Sequence, residues 1–126
     1  MDATWDGGYR CRVEARHHVL LIDEPTHAGG GDAGPQPTEV FLASVASCFA
    51  LAVYHVARKR SIELPDLRVR AVGEYKGPSF VKVRVEVAST FPRDELEPLL
   101  QRASSVCYVS NTMRAVDDIE VVVVEP

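Results

Sequence analysis

The 126-residue chain predicts an α+β fold in which an antiparallel sheet wraps around a long buried central helix. Three observations predict it. Residues 40–57 form an apolar run of 18 residues without Lys, Arg, Asp or Glu. The segments before and after that run alternate apolar and polar residues with the period of strands. A second, amphipathic helical segment lies between the last two strand candidates, an order that suits an α+β layer rather than a parallel α/β sheet.

In chain order, residues 9–16 alternate, with Cys11, Val13 and Ala15 on one face and Arg10, Arg12, Glu14 and Arg16 on the other. Residues 19–22 form a second strand, with His17 and His18 in the turn between the two. Residues 25–36 hold five glycines and prolines beyond Pro25 and read as a loop with no regular element. Pro37, Thr38 and Glu39 open the central helix, where proline is tolerated and a carboxylate suits the positive helix end. Arg58, Lys59 and Arg60 close it with cations at the negative end.

Residues 67–75 and 80–89 form a hairpin joined by Lys76, Gly77, Pro78 and Ser79; Val81, Val83, Val85 and Val87 alternate with charged residues, so one face is buried. A further helix starts at Pro92 or Arg93, and Pro98 either kinks it or marks its true first turn. Residues 109–114 are a short helical candidate, and Ile119 to Val124 a final strand. There is no internal repeat, and the chain reads as a single domain over residues 1–126.

The apolar run just reaches the length of a membrane span. It is rich in Ala and Ser, carries His55, and stands alone among amphipathic segments, so it reads as a core helix and no membrane partner is expected. A helix apolar on every side needs cover on every side. A chain of this size with one sheet falls short of that, so an interlocked homodimer is expected, and Ala43, Ser44, Ala46, Ser47 and Ala50 would let another helix approach closely. The net charge of −4 argues against a sequence-independent nucleic-acid binder. The N-terminal residues lack a basic and then apolar leader, and three cysteines is an odd count, which together suggest a cytoplasmic protein with reduced thiols.

The chemistry centres on Cys48, in the middle of the apolar run, and Cys107, 59 residues later in a second helical segment. At ~100° per residue, Phe41 and His55 share the face of Cys48 within about 20°, and Ser44 and Ala52 within about 40°. That stripe would keep the thiol quiet unless a cation or donor comes from elsewhere. His55 is about 10 Å along the axis, too far for a direct hydrogen bond, and reads as a core or edge histidine. Cys11 reads as core. No CxxC, zinc-ligand spacing, phosphate-binding glycine pattern or GxSxG elbow is present, so neither a metal nor a cofactor is expected. On pattern alone, both cysteines read as buried packing residues rather than as a redox pair.

The stretch from Gly34 to Cys48, with Pro37, Glu39, Leu42, Ala43 and Cys48 in order, resembles the cysteine helix of the OsmC/Ohr family, the osmotically inducible and organic hydroperoxide resistance proteins. Leu99 to Met113, with Ala103 and Cys107, is similar to that family's second-cysteine segment. The resemblance implies an intertwined homodimer and a thiol-dependent peroxidase acting on organic hydroperoxides. It assigns Cys48 as the peroxidatic and Cys107 as the resolving cysteine, with an external dithiol as reductant. It further implies an activating arginine from the N-terminal hairpin, held by a glutamate at the start of the cysteine helix. Glu39 takes that glutamate's place, one residue nearer the cysteine than in the hydroperoxide-resistance branch, which suggests a divergent OsmC-like branch. Arg10, after Gly7, Gly8 and Tyr9, is the candidate arginine, with Arg12 and Arg16 as alternatives. The competing expectation is a non-enzymatic dimer with an apolar ligand in an interface pocket lined by Phe41, Phe49 and the Cys48 face.

Overall fold

A computed structural model describes residues 1–125. It is α+β with antiparallel sheets and one long helix. There are two compact units, Met1–Ala43 and the remainder from Ser44, and the chain passes from one to the other within the long helix.

The N-terminal unit is a three-stranded antiparallel meander: β1 (Asp2–Trp5), β2 (Cys11–Ala15) and β3 (His18–Ile22). Strand β1 lies earlier than any strand expected from the pattern; it is only four residues long and all four are exposed. In β2 the expected alternation holds, with Cys11, Val13 and Ala15 half-buried and Arg12 and Glu14 exposed. The tight turn is Arg16–His17, so His18 belongs to β3, paired with Ala15. The β1–β2 connection turns at Gly7 and Gly8, both with positive φ, which glycine adopts without a Cβ penalty.

The loop after β3 is more ordered than its glycines suggest. It contains a 3-10 turn at Thr26–Ala28 and folds around Asp23, which is 3% exposed. The Asp23 carboxylate accepts the N–H groups of Glu24, Gly31 and Ala33 at 2.8, 3.1 and 3.2 Å. Burial pushes its pKa up, but these three N–H groups and the charge of Arg10 outweigh it and leave it below the usual value. A buried acceptor with three donors is what organises a segment that has no hydrophobic periodicity.

Helix α1 runs Pro37–Lys59. Glu39 accepts the Gln36 N–H at 3.0 Å, closing its first turn in the manner of a capping box. Sequence reading expects α1 to be buried nearly all round, but its buried residues form one stripe: Val45, Phe49, Ala52, Val53, Val56 and Ala57. Leu51 and Tyr54 are 67% and 57% exposed, because this chain covers a single face of the helix.

In the C-terminal unit, β4 (Arg68–Lys76) and β5 (Ser79–Ala88) form the antiparallel hairpin. Its register shifts between Glu74 and Tyr75, leaving Val81 unpaired and exposed rather than in line with Val83, Val85 and Val87. The Phe80 ring lies where a Cβ on Gly73 would stand, so glycine at 73 lets the aromatic fold over the sheet. Helix α2 (Arg93–Val106) runs through Pro98, with Pro92 as its N-cap. Of its buried residues Leu96, Leu99 and Ala103, the last two join the α1 stripe in the core. Each large side chain buried there contributes about 1.5–3 kcal/mol. Helix α3 spans Tyr108–Ala115. The strand expected at Ile119 to Val124 is not formed: among the described residues no strand pairs with it, and Val121 to Val124 stand exposed. A strand needs a neighbour for its backbone hydrogen bonds, whatever its side-chain composition.

The hairpin base is tied to the chain that enters it by Asp66. Its carboxylate accepts from the Thr90 N–H at 2.7 Å, the Ser89 hydroxyl at 2.9 Å and the Thr90 hydroxyl at 3.1 Å. The Thr90 N–H and then the Ser89 hydroxyl hold its pKa below the usual carboxylate value. A depressed carboxylate stabilises the fold above its unfolded pKa and loses that contribution as pH falls through the folded one. Asp66→Asn should therefore lower the melting temperature near neutral pH. Its gap from wild type should narrow in melts taken progressively below about pH 4.

Candidate functional site

Cys107 occupies the junction of α2 and α3, the C-cap of one and the N-cap of the other. Its N–H donates to the Ala103 carbonyl at 3.0 Å, closing α2, and its carbonyl accepts the Asn111 N–H at 3.0 Å, opening α3. With both backbone groups committed, its position is set by two helices. The side chain is fully buried, in a cluster with Phe49, Ala52, Val53 and Ala103.

This packing brings Cys107 to Cys48. Their sulfurs are 3.5 Å apart, both thiols are free, and Cys48 is half-buried where Cys107 is sealed. The Ser110 hydroxyl donates to Cys107 Sγ at 3.2 Å. Burial pulls the Cys107 pKa up, but the Ser110 hydroxyl, the Ser110 N–H, the Cys48 thiol and the Val109 N–H together bring it below the usual thiol value.

The C-terminal unit has two cavities of note, one of which borders the pair. One, of about 690 Å³, is lined by Cys48, Leu51, Ala52, His55, Val106 and Tyr108, among others. His55 thus shares a cavity with Cys48 and is exposed rather than a core histidine. The other, of about 460 Å³, is lined by Val45, Phe49, Val83, Val85, Met113 and Arg114 together with Ser104 and Ser110. Phe49, expected beside Cys48 in one pocket, belongs to this second cavity: adjacent residues on a helix point about 100° apart.

The remaining candidates lie in the N-terminal unit. Arg10 pairs through Nε with Asp6 at 2.9 Å, Arg12 pairs with Glu14 at 2.9 Å, and Arg16 sits in the β2–β3 turn with positive φ. Glu39 is engaged at its helix N-terminus as described. Phe41 is 39% exposed, and Cys11 is half-buried on β2. Among the described residues no cluster of three His, Cys, Asp or Glu side chains is arranged to hold a metal.

Sequence reading missed Ser110. The available signal was its position three residues after Cys107, at the start of a helix, where a side chain folds back onto the N-cap. It went unread because the N-cap here is a cysteine rather than one of the usual capping residues.

Residues 29–122, which include both cysteines, match the family model for OsmC-like protein. The chain belongs to the OsmC family. It is 30% identical to an organic hydroperoxide resistance protein of Xanthomonas axonopodis pv. citri, over 93% of this chain and 88% of the relative. A crystal structure of an organic hydroperoxide resistance protein from Legionella pneumophila superposes with a TM-score of 0.67 at 28% identity, covering 90% of this chain and 88% of the other. The structure of a putative organic hydroperoxide resistance protein from Vibrio cholerae, with captopril in one of its active sites, gives a TM-score of 0.70 at 26% identity, covering 90% and 83%.

The sulfur contact makes a direct prediction. Mild diamide treatment should close a Cys48–Cys107 disulfide, since the sulfurs need to approach only from 3.5 Å to bonding distance. Alkylation under denaturing conditions, read by mass, should then label Cys11 alone, against all three cysteines in the reduced protein.

Proposed function

We propose that this protein is a thiol-dependent peroxidase that reduces organic hydroperoxides through Cys48 and Cys107 and is regenerated by an external dithiol. The observation that carries this reading is the pair itself: two free thiols with sulfurs 3.5 Å apart, one opening on a cavity and the other sealed behind it. The difference in access supports the division of roles. Cys48 meets the substrate and Cys107 resolves.

The Cys48 thiolate attacks the distal oxygen of the hydroperoxide, the O–O bond breaks, and the alkoxide leaves as an alcohol after taking a proton. Cys48 is then a sulfenic acid. Attack by Cys107 forms the S–S bond and breaks the S–O bond, and the departing hydroxide is protonated to water. A dithiol reduces the disulfide by exchange. Arg10 is assigned the charge that favours the Cys48 thiolate, and Glu39 the positioning of that arginine. Both assignments rest on the family resemblance. The reading places the protein in the cytoplasm as an interlocked homodimer. Exposed Leu51 and Tyr54 on α1, Val19, Leu20 and Leu21 on β3, and Val121 to Val124 support the dimer, because together they leave more apolar surface open than a monomer normally shows.

Cys48→Ser should abolish consumption of an alkyl hydroperoxide in a coupled dithiol assay, because a serine hydroxyl is not appreciably ionised near neutral pH. Cys107→Ser should react once and stop as a Cys48 sulfenic acid that dimedone labels. Hydrogen peroxide should be about tenfold poorer, the worth of roughly two buried methylenes against Leu51, Ala52 and Val106. A wild-type protein that consumes neither peroxide with any dithiol would sink the proposal and favour the apolar-ligand binder, which the cavity lined by Val45, Phe49, Val83 and Val85 would then serve.

Sedimentation should show a dimer at micromolar concentration; a stable monomer would remove the interlocked assembly from this account.

A further inference from the structure

The resolving thiol faces a difficulty that the reading above leaves open. A thiol buried among apolar side chains resists ionisation, yet only a thiolate attacks a sulfenic sulfur. The surroundings of Cys107 offer no cation to relieve this. Its cluster is completed by partly buried Val69 of β4, Val85 and Val87 of β5, and Leu100 and Val106 of α2. From α1 the titratable group facing it is Cys48. On α3, Arg114 is turned to the Asn111 side-chain oxygen at 3.0 Å and the Ser104 hydroxyl at 3.4 Å, and Tyr108 is 84% exposed.

What the structure does supply is hydrogen-bond donors. Cys107 is the N-cap of α3, whose first N–H groups have no carbonyl partners; its side chain makes no capping hydrogen bond to them, so the donor seated on the sulfur is a side chain. Ser110, one turn on, places its hydroxyl 3.2 Å from the sulfur. On the opposite side, Cys107 Sγ lies 3.5 Å from Cys48 Sγ. Ser110, Cys107 and Cys48 thus form a relay of donors, hydroxyl to thiol to thiol.

We propose that Ser110 is the positioning residue of the resolving step, its hydroxyl holding Cys107 Sγ as a thiolate directed at Cys48. This rests on the peroxidase reading and deepens it. When Cys48 attacks the hydroperoxide, the Cys107 proton goes to the departing alkoxide, and the charge left on Cys107 is stabilised by the Ser110 hydroxyl with the N–H groups of Val109 and Ser110. That thiolate then attacks Cys48, the S–S bond forms, the S–O bond breaks, and hydroxide leaves to become water. The lowered Cys107 pKa agrees with this arrangement, since those same donors oppose the effect of burial. A hydroxyl donor to a charged sulfur is a charge-assisted hydrogen bond, stronger than its neutral counterpart.

The test compares Ser110→Val with Ser110→Thr, two β-branched replacements of the same shape, of which the first loses the hydroxyl donor and the second keeps it. In a Cys11→Ser, Cys48→Ser background, Cys107 is the remaining thiol, and its thiolate absorbance can be followed against pH. Ser110→Val should raise the midpoint by about one unit, a tenfold loss of thiolate on the rising limb, and Ser110→Thr should restore it. In the protein with all three cysteines, rapid mixing with tert-butyl hydroperoxide should leave Ser110→Val accumulating dimedone-reactive sulfenic acid. Its disulfide formation should fall about tenfold at neutral pH and recover as pH is raised. An unmoved Cys107 midpoint, or disulfide formation as fast as in wild type, overturns the inference. Wild-type protein that consumes no hydroperoxide instead defeats the function proposed above, an outcome the titration arm keeps distinct from a failure at Ser110.

Discussion

The geometry of the cysteine pair depends on how closely the end of α2 can approach α1. Ala52 and Ala103 meet in the cluster that holds Cys107, and a one-carbon side chain on each helix permits that approach, while Phe49 and Val53 fill the space around it. Larger residues at 52 or 103 would push the helix end outward and open the sulfur contact, since a close-packed interior accommodates extra methylenes only by shifting its backbone. Leu99, with no exposed surface, fixes α2 one turn earlier against Val56 and Ala57. The reactive pair is therefore a product of hydrophobic packing more than of polar contacts.

A different principle organises the N-terminal unit. Its strands bury little, and its order comes from polar closure: the Asp23 carboxylate gathers three backbone N–H groups of the glycine-rich loop, and Glu39 caps the helix start. In the C-terminal unit polar closure plays a secondary part, as at Asp66, where one carboxylate ties the hairpin base to the segment that precedes it. The same device thus recurs wherever the chain must hold a shape without apolar area to drive it.

Much of this was legible in the sequence because it follows from periodicity. The length of α1, the alternation of β2 and the hairpin of β4 and β5 all rest on patterns of apolar residues. The two cysteine segments were readable through their resemblance to a known family, although Cys107 stands at the junction of α2 and α3 rather than inside a helix. What escaped was set by partners that are not local. The run of four valines at Val121 has strand composition and no strand beside it in this chain. Val81 has the right alternation and the wrong face, because the shift at Glu74 is a property of pairing rather than of one strand. The one-sided burial of α1 depends on what covers it, which no helical period reveals. Ser110 was visible only as a capping residue around a cysteine, and its meaning came from the sulfur it touches.

Under the peroxidase cycle proposed above, the unequal exposure of the two sulfurs governs how the oxidised protein would return to its starting state. Once the pair is joined, Cys107 is shielded by the core and Cys48 still borders a cavity. An incoming reductant can reach one end of the bond, so the mixed disulfide forms on Cys48 and Cys107 is the leaving group. Oxidant and reductant then use a single doorway in alternation, each excluding the other while it is inside. The rate of recovery becomes a contest for one opening, and a hydroperoxide present in excess slows the reduction that its own consumption requires.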